Sequence, residues 1–60
     1  MNIKKWIDTN FEGDTETARQ VLEGGLRFYR AQLNSNFAAE REAARVKIRE
    51  IEGYIRALEG

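Results

Sequence analysis

The residues of this chain that could do chemistry are few, and their spacing rules out most of it. There is one serine, Ser35, and there is neither cysteine nor histidine. A hydroxyl nucleophile needs an adjacent base to activate it. Ser35 has no histidine to serve it and reads as a turn or cap residue. Paired carboxylates do acid–base work only in a cleft that drives their pKa values apart. Glu12, Asp14, Glu16, Glu40, Glu42, Glu50 and Glu52 fall where loops and helix surfaces are expected. Asn10, Glu12, Asp14 and Glu16 alternate around Gly13, a little like a calcium loop. Such a loop has its glycine sixth and a glutamate twelfth; counted from Asn10, Gly13 is fourth and Val21 is twelfth. A structural zinc would lack its usual Cys and His ligands. Gly24-Gly25 is not followed by the Lys-Ser/Thr of a phosphate loop. The chain is therefore expected not to be an enzyme, and to take no cofactor, no metal and no small-molecule substrate.

The elements that would position any functional surface are helical. Proline is absent, and apolar residues recur at helical spacing almost throughout. The expected fold is all-α: a short N-terminal helix docked on an antiparallel two-helix hairpin, a small three-helix bundle. It forms one domain over residues 1–60, with helices at about 2–11, 14–34 and 36–59. In the first, Ile3, Trp6, Ile7 and Phe11 share a face, Asn2 can cap the start and Gly13 can end it. A helix so short holds only by docking, so Trp6 is expected to be largely buried against the hairpin. In the second, Asp14 is the expected N-cap. Ala18, Val21, Leu22, Gly25, Leu26, Phe28, Tyr29 and Leu33 form one wide apolar arc, with Arg19, Glu23, Arg27 and Arg30 opposite. Gly25 falls on that arc, where it would let another helix come close. Gly24 falls on the back, and a kink at the pair is the alternative.

Asn34-Ser35-Asn36 is the polar cluster between the second and third helices, and Ser35 or Asn36 is expected to cap the third. Phe37, Ala44, Ile48, Ile51, Ile55 and Leu58 then follow alternating three- and four-residue steps, with Arg41 in the one polar slot. That is a heptad seam. The expected core is Leu22, Leu26, Tyr29, Leu33, Ile48, Ile51, Ile55 and Leu58. Arg45, Arg49 and Arg56 share a flank of the third helix with Glu42 and Glu52. Its back carries Ala39, Ala43, Val46, Gly53 and Ala57, with Glu50 among them. A solvated helix back is normally richer in long charged residues. The expected partner-binding residues are therefore Ala39, Ala43, Val46, Gly53 and Ala57, with Arg45 and Arg49 at the edge.

Ten basic and ten acidic residues leave no net charge. That speaks against nonspecific nucleic-acid binding, which rests on a basic excess. Residues 1–25 hold three basic and five acidic side chains, a net −2, and residues 26–60 hold seven and five, a net +2. No apolar run approaches the ~20 residues that span a bilayer, and no apolar stretch follows the early lysines as in a signal peptide. The chain reads as soluble and cytoplasmic, with no membrane partner. A 60-residue chain has a marginal core and usually needs a staple. With disulfides and zinc excluded, association remains. The expected function is a non-catalytic helical protein–protein interaction module that self-associates as a homodimer or higher oligomer, or docks on a larger protein. Its size and lack of catalytic groups suit a phage or mobile-element accessory protein that inhibits or scaffolds a host complex. The alternative is a small dimeric DNA-binding, repressor-like module in which Lys4-Lys5-Trp6 forms a strand ahead of two helices.

Overall fold

The first two helices each begin where a side chain satisfies a free N–H group. The structure, a computed structural model, describes residues 2–60. Helix α1 spans Ile3–Phe11, and the Asn2 side chain accepts a hydrogen bond from the Lys5 N–H at 3.1 Å. It ends at two residues in the left-handed region, Glu12 at φ 53° and Gly13 at φ 83°. The Gly13 N–H then donates back to the Ile7 carbonyl at 3.2 Å. Gly13 holds that conformation without the Cβ clash that other residues meet.

Helix α2 spans Thr15–Gln32 and is capped by Asp14. The Thr17 hydroxyl donates to Asp14 Oδ2 at 2.7 Å, and the Thr17 N–H to Oδ1 at 3.0 Å. These two hydrogen bonds hold the Asp14 carboxyl below the ordinary aspartate value. A depressed pKa stabilises the fold above the unfolded-state value, and the benefit is lost as pH falls through the folded one. Stability should therefore drop as pH falls below about 4. Asp14→Asn, which still caps but does not titrate, should flatten part of that drop in acid unfolding curves. A variant curve that falls as steeply as the parent's would show that the cap is not what acid removes.

Helix α3 spans Ala38–Glu59 and packs along α2. The turn, residues 33–37, needs neither glycine nor proline because Ser35 organises it. The Ser35 hydroxyl accepts from the Phe37 N–H at 3.1 Å and donates to Glu40 Oε1 at 2.8 Å. Arg41 Nη1 donates to the Ser35 carbonyl at 2.7 Å. The polar slot in the α3 seam is thus filled by a residue that ties the loop. Two expectations are corrected here. The second helix stops at Gln32 and the third starts at Ala38, two residues inside the expected ends at 34 and 36. The α3 N-cap is Phe37, which makes no side-chain cap bond; Ser35 instead holds the Phe37 N–H, just ahead of the helix.

The core is thinner than the apolar pattern implies. Ala18 and Ala44 are fully buried, Ile7 and Leu22 nearly so. Leu26, Tyr29, Ile48, Ile51, Ile55 and Leu58 are half-buried. Leu33, expected in the core, is 37% exposed. It lies just past the end of α2, beside the turn, where little of α3 covers it. Phe37, placed by spacing in the seam, is 67% exposed for the same reason. The helices meet most closely where side chains are small. A methyl group added at Gly25 would sit 3.3 Å from Ile51 Cδ1. Helix α2 runs through Gly24 and Gly25 as one helix. Trp6 is half-buried rather than largely buried. It stacks on Tyr54 of α3 at 4.9 Å between ring centroids and meets Phe11 edge-on at 5.1 Å, so α1 docks through an aromatic cluster left partly open to water.

Candidate interaction surface

Two shallow depressions mark the surface, one at Leu26, Glu52, Ile55 and Arg56, the other between Ile3 and Ile7 of α1 and Ala57 and Leu58 of α3. Among the described residues no three acidic groups gather where an ion could sit. Among the described residues no helix is long and apolar enough to cross a membrane. The features left to consider are outward helix faces.

The back of α3 is open along its length. Ala39, Ala43, Val46 and Ala57 are exposed, Val46 at 54%. Gly53 is half-buried, yet a Cβ added there would meet nothing within 4 Å. The stripe is shallow, with Val46 its one large apolar side chain and Glu50 in its middle. Arg45 and Arg49 are exposed beside it. Arg45 pairs within the chain, its Nη1 3.0 Å from Glu42 Oε2, and Glu52 lies 3.6 Å from Arg30. All four side chains are about half exposed or more, and such pairs contribute about 0–1 kcal/mol. They can exchange partners at little cost. Ala39, Ala43, Val46, Gly53 and Ala57 thus share the back of α3, with Arg45 and Arg49 on its flank, and the half-buried Ile48, Ile51 and Ile55 turn the other way.

A second open face, on α2, is not singled out by the spacing. Val21 is 52% exposed and Phe28 57%; both fall within the wide arc that reads as core. Phe28 is held edge-on to Tyr29 at 5.1 Å. The signal was the width of the arc. Residues at about 100° steps spread it well past the ~100° stripe typical of a core-facing helix, so one edge must stay wet. The segment Lys4-Lys5-Trp6, whose strand form the DNA-binding alternative needs, lies in α1.

In comparisons with known proteins, no family model, no curated protein and no solved structure matches the chain.

Proposed function

We propose that this protein is a non-catalytic helical module whose work is to associate with proteins, a second copy of itself among them. The observation that carries the reading is an inversion of size. Val21, Phe28, Phe37 and Val46 are each more than half exposed, while among the described residues nothing larger than Leu22 or Ile7 is buried. The accessible surface, 4465 Å², exceeds the roughly 4,000 Å² typical of a compact monomer of this mass. Exposed apolar residues scattered singly are normal, and those that share a face, as Val21 and Phe28 do two turns apart on α2, are the ones that mark contact surfaces. The back of α3, with Ala39, Ala43, Val46, Gly53 and Ala57 rimmed by Arg45 and Arg49, is read as a seat for a helix of a partner, since small residues let a second helix come near.

Self-association makes the melting temperature depend on chain concentration, because dimerisation stabilises the folded state by mass action. Thermal unfolding over a hundred-fold concentration range around the micromolar should show the midpoint rising with concentration. A midpoint that stays fixed across the range would leave only a foreign partner.

A further inference from the structure

We infer that α1 is a hinged strap: it lifts from the hairpin as one unit about Glu12-Gly13, while α2 and α3 stay folded. The chain then has two forms, one with Tyr54 of α3 covered and one with it open. This goes beyond the association reading and does not depend on it.

Three observations carry it. The first is what holds α1 down. Ile7 is its one buried side chain, and Trp6 lies on Tyr54 at 4.9 Å between ring centroids. Ile3 and Phe11 are half-buried. Among the described residues no side-chain hydrogen bond or ion pair runs from α1 to α2 or α3. Those of α1 close on itself and its own cap: the Lys5 N–H donates to Asn2, and the Asn10 amide donates to the Trp6 carbonyl. The hairpin, by contrast, is tied across its helices by Arg30 and Glu52, and at its turn by Ser35 with Glu40 and Arg41. The second is length. The nine residues of α1 fall short of the ~12–15 at which a helix begins to sustain itself, so α1 off its seat is lost as a whole. The 18 residues of α2 and 22 of α3 exceed that length and pack on each other, and such a motif opens as a unit of its own. The third is the corner. Glu12 at φ 53° and Gly13 at φ 83° are consecutive left-handed residues, and Glu12 is the one described non-glycine residue with a positive φ. That backbone is disfavoured for a residue bearing a Cβ, so lifting relaxes a turn that seating must hold. The Gly13 and Asp14 N–H groups donate to the Ile7 and Phe11 carbonyls, at 3.2 and 2.9 Å, so the corner and α1 open together.

The test is amide hydrogen exchange on the intact chain, followed residue by residue by NMR in sub-denaturing urea at one fixed chain concentration. The amides of α1 should share a single opening, populated about ten-fold or more above the one that frees the middle of α2 and α3. Its urea dependence should be weaker than that of the hairpin amides, because less surface is exposed. Equal populations and equal urea dependence would make the three helices one cooperative unit and overturn the strap. Exchange graded inward from Asn2 with no urea dependence would show fraying and overturn it equally. Two variants complete the test. Gly13→Ala strains the corner, where φ is +83° and the new Cβ would sit 3.4 Å from Asp8 Oδ1, and it removes neither the Trp6 nor the Ile7 side chain. It should raise the α1 opening about five-fold or more; an unchanged opening would overturn Glu12-Gly13 as the hinge. Ile7→Asp should leave the α1 amides unprotected and the middle of α2 and α3 still protected. Free exchange along the whole Ile7→Asp chain would show that the hairpin cannot stand without α1, and the strap would be overturned.

Discussion

Leu22→Ala should destabilise the protein by about 2–5 kcal/mol, the range for truncating a buried aliphatic side chain. Leu22 is 5% exposed and is the largest buried residue of α2. It lies one turn beyond the fully buried Ala18 and one turn before the half-buried Leu26, on the side of α2 that faces α3. Its loss leaves a void that a short hairpin cannot close without shifting a helix. At roughly 0.05–0.15 kcal/mol per residue, a domain of this length holds about 3–9 kcal/mol in all, so the substitution takes a large share. Urea unfolding at one fixed chain concentration would show the midpoint move far down. Ile51→Ala, at a half-buried position, should move it less. Equal shifts for the two, or a loss below about 1 kcal/mol for Leu22→Ala, would mean that the hairpin core is not centred where Ala18, Leu22 and Ala44 place it.

Ala44→Asp should be worse at neutral pH. Ala44 is fully buried in the α3 seam, with no basic residue buried near it to pair with a carboxylate. An uncompensated buried charge costs about 3–5 kcal/mol, enough to unfold most of a marginal domain. Burial favours the neutral carboxyl, so its folded pKa would lie above the unfolded one. The penalty is then smallest below the unfolded value, about 4, and reaches its full size as pH rises through the folded one. The variant should therefore lose stability relative to its parent between acid and neutral pH, the reverse of the Asp14 dependence. A difference that does not change with pH would show the new side chain escaping to water.

How much of this was legible in the sequence follows from how local each feature is. The starts of α1 and α2 were readable because Asn2 and Asp14 act within three residues of themselves. The hairpin was readable from its period. Its turn was not, since Ser35 is held by Glu40 and Arg41, five and six residues on. In the core, size does not ensure coverage. Leu33 and Phe37 are large and periodic, but they flank the turn, where neither helix extends past the other to shelter them. Ala44 is small and ends up fully enclosed, because two helices come closest where there is least between them. On the surface, spacing identified the α3 stripe, since its small residues interrupt a charged helix. It hid the α2 face, since periodicity gives the direction of a side chain and not whether a neighbour reaches it.

The stack of Trp6 on Tyr54 has an optical consequence. Trp6 is the sole tryptophan, and it belongs to the shortest helix, whereas α2 and α3 supply most of the helical backbone. Indole emission therefore reports whether α1 is seated, and far-ultraviolet ellipticity reports chiefly the hairpin. The molecule thus carries two distinct gauges of its own order, and loss of the indole signal ahead of the ellipticity would show α1 lifting from an intact hairpin.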